Sequence, residues 1–246
     1  MNQEWKKYLA LTVVAVILAA GLVLSTYIAT RGLVEVKGSN TITVTGSAKQ
    51  QIKSDLIVWD GSFSAQSAQV SEAYAKLKAD SEKVRKYLEG KGIADSDMVF
   101  SSINTNTLYE VNANGQYTSN ILGYRLDQRV EISSSDVDKI TQVSREATEI
   151  INDGVEFQSF PPQYYYTKIA DLKVSMLAEA TKDAKNRAQQ IAENTGSQIG
   201  ALRSAKMGVF QITPLYSTEV ADYGINDTSS LDKEITAVVT CSFEMK

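Results

Sequence analysis

The sequence contains no histidine. Histidine-based acid–base catalysis, Ser-His-Asp and Cys-His nucleophilic arrangements, and imidazole metal sites are therefore excluded. P-loop and dinucleotide fingerprints are also missing from the sequence, which removes the common nucleotide-binding interpretations. No residue set supports a reaction type, so we expect a protein that is not an enzyme, with no catalytic residues, cofactor or metal.

Cysteine is nearly as scarce, because Cys241 is the only one in the chain. An intrachain disulfide is therefore impossible, and stability must come from packing. Cys241 belongs to an alternating apolar series from Ile235 to Phe243, which favours an inert buried thiol. The alternative, a redox-sensing thiol, requires exposure and a depressed pKa.

Neither sign of charge dominates the sequence. The 246 residues include 25 basic and 29 acidic side chains, for a net charge of −4. This balance gives no electrostatic basis for binding a phosphate backbone, so we expect no nucleic-acid partner. With 43% hydrophobic residues, the chain is long enough to bury a full core.

An uncharged apolar segment runs from Tyr8 to Thr30. About 20 helical residues cross a hydrocarbon core of about 30 Å, so this segment fits one membrane span. Lys6 and Lys7 precede it, and positive residues favour the cytoplasmic side. We therefore predict a cytoplasmic N-terminus at 1–7, an anchor at 8–30, a linker at 31–39 and an exported domain at 40–246.

The competing interpretation of the same segment is a cleaved signal peptide. Such a peptide has an apolar region of about 7–15 residues followed by small residues at the cleavage site. The apolar run here is longer, and its best candidate cleavage site, Val23-Leu24-Ser25, is a mediocre match to the small-residue pattern. The domain is exported on either interpretation. We place it on the periplasmic or external face of the cytoplasmic membrane.

Hydrophobic periodicity and turn residues predict ten elements in the exported domain. In chain order they are strands at 41–45 and 56–63, a helix around 70–88, strands at 98–111 and 120–132, a helix around 137–150, a strand at 155–160, a helix at 167–195, and strands at 199–212 and 235–243. Hairpins are frequent in this order. The fold class is therefore α+β, as a single domain with a mixed, largely antiparallel sheet packed against three helices.

Two details of this pattern concern burial. The strand at 120–132 alternates, with Leu122, Tyr124, Leu126, Val130 and Ile132 predicted to be buried. The helix around 70–88 has Val70, Ala73, Tyr74, Leu77, Val84, Tyr87 and Leu88 on its predicted apolar face.

Three segments of the domain together resemble the SIMPL-domain family, which includes periplasmic immunogenic proteins of Gram-negative bacteria. They are Ile42-Thr-Val-Thr-Gly46, Ile121-Leu-Gly-Tyr124 and the Ala-rich helix from Leu177 to Gly196. The resemblance implies an exported envelope protein that assembles into a large ring-like or channel-like homo-oligomer, with a link to envelope or oxidative stress. No catalytic residues are assigned across that family, so the resemblance implies none here.

Three groups of polar residues are candidate sites. Asp95 and Asp97 could hold a cation or act in acid–base chemistry, but a solvated turn accounts for them. The same holds for the loop 226–230. Arg125, Asp127, Arg129 and Glu131 share one strand face, where they either are solvated or pair with neighbouring strands or subunits.

The tyrosine triplet Tyr164, Tyr165 and Tyr166 is the candidate interface. It follows Pro161-Pro162, which indicate a sheet edge or a chain exit. Tyrosines are enriched at protein interfaces, and partial burial in the domain's own core is the alternative. The partners expected are a membrane and further copies of this chain. A pocket that binds an envelope ligand is the alternative function.

Overall fold

The computed structural model describes residues 3–37 and 40–246, and within the first range the side chains of residues 12–30. Helix α1 spans Gln3–Lys37, so most of the predicted linker at 31–39 is helical. No proline interrupts the chain between Thr30 and Gly38, so the helix continues past the apolar segment. The predicted linker end at Gly38-Ser39 and the first two residues of the predicted cytoplasmic segment lie outside the described residues.

The part of the chain that follows α1 is α+β, as predicted. Its helices are α2 (Val70–Gly90), α3 (Val137–Glu146) and α4 (Ile169–Asn194). Its strands are β1 (Thr41–Lys53), β2 (Leu56–Ser67), β3 (Met98–Phe100), β4 (Asn104–Val111), β5 (Tyr117–Ser134), β6 (Glu156–Ser159), β7 (Gln163–Tyr165), β8 (Ile199–Met207), β9 (Gln211–Pro214), β10 (Ile225–Asn226) and β11 (Asp232–Met245). Two predicted strands are each divided. The first break, at 101–103, lies between β3 and β4, and the second, at 208–210, lies between β8 and β9.

The strands form two sheets where one was expected. In the first sheet, β11 pairs with β1, β8 and β9, and β10 extends it beside β9. In the second sheet, β5 and β2 are central, with β3 and β4 on β5 and β6 and β7 on β2. β9 and β10 are parallel, whereas β8 and β9 run antiparallel to β11, so the first sheet is mixed as predicted.

The chain changes sheets between β1 and β2. These strands are separated by only two residues, and no hairpin forms there. Instead, the Ser54 N–H donates to the Leu231 carbonyl at 2.9 Å, and the Asp55 N–H donates to the Tyr165 carbonyl at 3.0 Å. These bonds to distant segments satisfy the backbone groups that a tight turn would otherwise pair.

By its internal contacts the chain divides into two compact units. Unit 1 comprises Met1–Ser47, Ala180–Met207 and Val239–Lys246, and unit 2 comprises Ala48–Glu179 and Gly208–Val238. The boundaries fall inside β1, α4 and β11. The sequence pattern did not separate these two units.

The main core lies in unit 2, where α2 and α3 cover the second sheet. Trp59 and Phe63 from β2 are almost fully buried in it. On α2 the buried positions are Ala73, Leu77, Asp80, Val84 and Leu88. Val70 and Tyr74, expected on the apolar face, are instead exposed. The buried stripe follows a regular spacing of three and four residues, which leaves Tyr74 beside it. Val70 keeps that spacing but is the first residue of α2, where it is exposed.

In unit 1, the backbone of α4 approaches β1 closely at Gly46. A Cβ at Gly46 would lie 2.2 Å from the Ala180 carbonyl oxygen and 2.3 Å from the Ala184 nitrogen. Only glycine permits this approach. The adjacent Ser47 N–H donates to the Asp183 carboxylate at 2.9 Å. Ala180, Ala184 and Ala188, spaced four residues apart on α4, are fully buried.

Candidate functional site

A small cavity in unit 2 is the candidate site, and the tyrosine triplet lines it. Its volume is about 100 Å³. The lining residues are Tyr164–Tyr166 around β7, Asn226–Thr228 after β10, the three isoleucines Ile52, Ile169 and Ile212, and Lys233 at the start of β11. Apolar and polar groups therefore share a space large enough for only a few heavy atoms.

Lys233 supplies the positive charge of this cavity. The residue is only 3% exposed. Its ammonium donates hydrogen bonds to the Tyr164 carbonyl at 2.6 Å and to the Asp227 carbonyl at 2.5 Å. Burial lowers the pKa of Lys233, and the nearby charge of Asp227 opposes this shift. A buried cation bonded to two neutral carbonyls is an unusual arrangement, because buried charges are normally paired.

The Asp227 carboxylate is held by its own loop. It accepts hydrogen bonds from the Ser229 N–H at 2.9 Å, the Ser229 hydroxyl at 2.7 Å and the Ser230 N–H at 3.2 Å. Burial raises the pKa of Asp227, but the bonds from Ser229 and Ser230 and the charge of Lys233 outweigh it, so the pKa is lowered. This loop is the side-chain-capped turn that the sequence favoured over a cation site.

The three tyrosines of the candidate interface differ in how far they are buried. Tyr164 is buried, and its hydroxyl lies 3.1 Å from the Thr141 hydroxyl on α3. Tyr165 and Tyr166 are half-buried. Partial burial, the alternative considered for this segment, therefore describes it. Tyr164 is removed from any exposed interface, whereas a contact through Tyr165 and Tyr166 stays a prediction.

The prolines before the triplet lie at a sheet edge, as predicted. Pro161 and Pro162 separate β6 from β7, and both short strands pair with β2 at the outer side of the second sheet. Because proline donates no backbone hydrogen bond, it interrupts the pairing without costing the sheet a central ladder bond.

Lys233 was missed by the sequence analysis, although a signal for it exists. The alternating series on β11 was predicted from Ile235 to Phe243, and its residues are buried as expected. One further step towards the N-terminus places Lys233 on the same buried face. A hydrophobic pattern does not include lysine, so the predicted series begins at Ile235 and not at Lys233.

A second notable surface lies on the β4–β5 hairpin. The pairing of β2 with β5 ends at Tyr124. On the N-terminal side of Tyr124, β5 therefore pairs only with β4. Five apolar side chains on this two-stranded ribbon are 43–78% exposed: Tyr109, Val111, Tyr117, Ile121 and Leu122. We call these five residues the hairpin surface. A two-stranded ribbon has no second layer against which to bury them.

Leu122 was predicted to be buried, and that prediction is wrong. The register between β4 and β5 shifts here, from Leu108 opposite Gly123 to Tyr109 opposite Ile121. The extra residue is Leu122, so the strand has a bulge. The alternation predicted for β5 holds after the bulge, where Leu126, Val130 and Ile132 are buried.

The charged face of β5 pairs with neighbouring strands. Arg125 contacts the Glu156 carboxylate of β6 at 2.9 Å, the Ser64 hydroxyl of β2 at 2.8 Å and Asp127 at 3.1 Å. Arg129 lies 3.4 Å from the Asp60 carboxylate of β2. Of the alternatives considered, pairing within the sheet therefore applies to both arginines.

The remaining candidates are the aspartates Asp95 and Asp97 and the thiol of Cys241. Asp95 and Asp97 lie in an exposed turn, where Asp95 forms an ion pair with Arg85. Cys241 is fully buried, and burial raises the pKa of its thiol, which opposes a redox role. Across the described part of the chain, no three His, Cys, Asp or Glu side chains are grouped in a way that would hold a metal ion.

Comparison with known proteins identifies the family. The model of the SIMPL family, described as a protein of unknown function (DUF541), matches residues 42–243. The chain belongs to the SIMPL family. The match includes strands of both sheets and confirms the resemblance carried by the segments near Gly46, Tyr124 and Gly196.

Other comparisons add little to the SIMPL assignment. No curated protein matches the chain at a significant level. Among solved structures, the crystal structure of an uncharacterized conserved protein from Listeria innocua matches with 13% identity, over 78% of this chain and 91% of that chain, at a TM-score of 0.21. A TM-score this low does not establish a shared fold.

Proposed function

We propose that this SIMPL protein is a non-enzymatic envelope protein, anchored in the cytoplasmic membrane by α1, that self-associates into a ring-like homo-oligomer through the hairpin surface. The observation that carries the proposal is the exposed apolar ribbon of β4 and β5. The same chain also has a helix that is long and apolar enough to span a membrane.

Helix α1 supports the anchor. The stretch Thr12–Thr30 is long and apolar enough to cross a membrane, and none of its side chains is buried within the protein. A helix that is apolar and uncovered is stable in a hydrocarbon environment but not in water. A signal sequence has the same properties, so retention of α1 is part of the proposal.

The chemistry of the hairpin surface favours a protein partner over a lipid surface. Between Asn104 and Tyr124 the only charged residue is Glu110, so the ribbon has no cation to attract anionic lipids. Its Asn120 amide donates to Glu110 at 3.0 Å, which places polar groups among the apolar ones. Tyrosines mixed with aliphatic and neutral polar side chains are typical of protein interfaces.

A second copy of the chain is the partner proposed. Copies tethered to one membrane are concentrated and similarly oriented, so weak contacts between them are strengthened. If the hairpin of one copy binds a different surface of the next, the contact is head-to-tail, and repeated rotation closes a ring. No step of a chemical reaction is needed for this role.

The test is the assembly state of the full-length protein extracted in mild detergent. Wild type is expected to be larger than a monomer by mass photometry, whereas Tyr109→Ser combined with Ile121→Ser is expected to be monomeric. The matched control, Tyr216→Ser with Val220→Ser, removes two other apolar side chains that are 88% and 79% exposed, and it should assemble normally.

A covalent test uses the same surface. Cys241 is buried, so a single Tyr117→Cys substitution adds the only accessible thiol among the described side chains. Mild oxidation of membranes should cross-link neighbouring copies only if hairpins meet each other, and a bifunctional thiol–amine reagent should capture a head-to-tail contact. A wild-type protein that is monomeric in both assays contradicts the proposal.

A further inference from the structure

The Lys233 cavity has an unused hydrogen-bond donor. An ammonium group carries three N–H donors. Lys233 uses two of them on the Tyr164 and Asp227 carbonyls. No carboxylate of the described residues lies within 4.0 Å of its nitrogen. One donor of a buried cation therefore remains for a group that enters the cavity.

The charge in this cavity selects an anion. Lys233 is 3% exposed and forms no ion pair within the described part of the chain, although an unpaired buried charge is costly. The nearest acidic side chain, Asp227, has its oxygens engaged by Ser229 and Ser230. Asp227 acts on Lys233 from a distance but forms no direct ion pair with it, so an anion that bonds to the free donor of Lys233 would form that direct pair.

The size and lining of the cavity narrow the class of anion. A volume of about 100 Å³ accommodates only a few heavy atoms. Ile52, Ile169 and Ile212 form an apolar wall that a fully charged inorganic ion would not contact favourably. A short aliphatic chain fits this wall, and one carboxylate fits the single ammonium.

We propose that the Lys233 cavity binds a short-chain aliphatic carboxylate, with the carboxylate on the Lys233 ammonium and the alkyl chain against the three isoleucines. Binding is non-covalent. An imine on Lys233 would have at most one N–H, so at least one of the two carbonyls would lose its donor. The proposal is independent of self-association through the hairpin surface.

The experiment titrates the detergent-extracted full-length protein with acetate, propionate, butyrate and octanoate, and follows binding by calorimetry and thermal shift. Saturable binding is expected to strengthen from acetate to butyrate and to be lost for octanoate, which exceeds the cavity. Butyramide, which has the same shape without the charge, should not bind. Chloride at equal ionic strength controls for salt effects.

Three variants locate the site. Lys233→Met should weaken butyrate binding about tenfold or more, because it removes a charge-assisted hydrogen bond. Lys49→Met, which removes a lysine that is 62% exposed on β1, should bind as wild type does. Ile169→Phe, at the first residue of α4, keeps Lys233 but fills the cavity, and it should also abolish binding, so the test survives if Lys233→Met does not fold.

Three outcomes would each contradict the proposal. They are the absence of saturable binding by wild type, equal binding of butyrate and butyramide, and unchanged binding by Ile169→Phe. Because the assembly state is measured separately, failure here leaves self-association standing, and failure of self-association leaves this site standing.

Discussion

At the scale of single residues, two residues are explained by the groups they contact in the fold and not by their local sequence. Gly46 is the contact point between β1 and the backbone of α4. Lys233 is a charged residue on a buried strand face, held by two carbonyls. Both belong to segments whose pattern is ordinary, and both are explained only by a neighbour that is distant in sequence.

We expect Gly46→Ala to destabilise the protein by about 1–3 kcal/mol, because the added methyl would overlap the α4 backbone and force β1 and α4 apart. Thermal or urea unfolding of the detergent-extracted protein, followed by tryptophan fluorescence, measures the change. Gly90→Ala is the matched control: it lies at the end of α2 with nothing within 4 Å of the added carbon. Equal stability of the two variants would contradict the close approach at Gly46.

At the scale of elements, the sequence predicted α2, α3, α4 and the β4–β5 hairpin because each carries a local signal. The turn after β4 shows how local this signal is, since the Asn112 side chain accepts the N–H groups of Asn114 and Gln116, both at 3.0 Å. The bulge at Leu122 and the separation of β3 from β4 were not predicted. Both depend on the register with a partner strand, which hydrophobic alternation does not encode.

Helix α4 gives a prediction at this scale. Ala188 is fully buried, so Ala188→Leu should overfill its site and cost about 1–3 kcal/mol of unfolding free energy. Ala178→Leu makes the same change at an exposed position of the same helix, and it should stay within about 0.5 kcal/mol of wild type. The two are compared by urea unfolding monitored by circular dichroism. A similar loss in both variants would mean that helix propensity, rather than packing, sets the cost.

At the scale of the whole molecule, the N-terminal helix differs from the rest of the described chain in how far its apolar side chains are covered. The apolar stretch Thr12–Thr30 is uncovered and long enough to cross a membrane, whereas the second sheet has a buried core under α2 and α3. Lys6 and Lys7 precede the apolar stretch and set the expected orientation.

This orientation is tested by labelling intact cells with a membrane-impermeant maleimide. Tyr223→Cys introduces a thiol at a position that is 90% exposed, while native Cys241 is buried and should not react. We expect the variant to be labelled before lysis and the wild type to remain unlabelled in folded form. Intact mass of the labelled protein also reports whether α1 is retained. Labelling that appears only after lysis would place the domain on the cytoplasmic side.

The sequence by itself determined the apolar segment, the α+β class, the main helices and the family, because each rests on local composition, periodicity or short motifs. Tertiary structure alone decided how the strands divide into two sheets, since the paired positions are far apart in the chain. It also decided that Tyr164 is buried and that Lys233 and the tyrosine triplet share one cavity. Burial and proximity are properties of the folded chain, and no local pattern contains them.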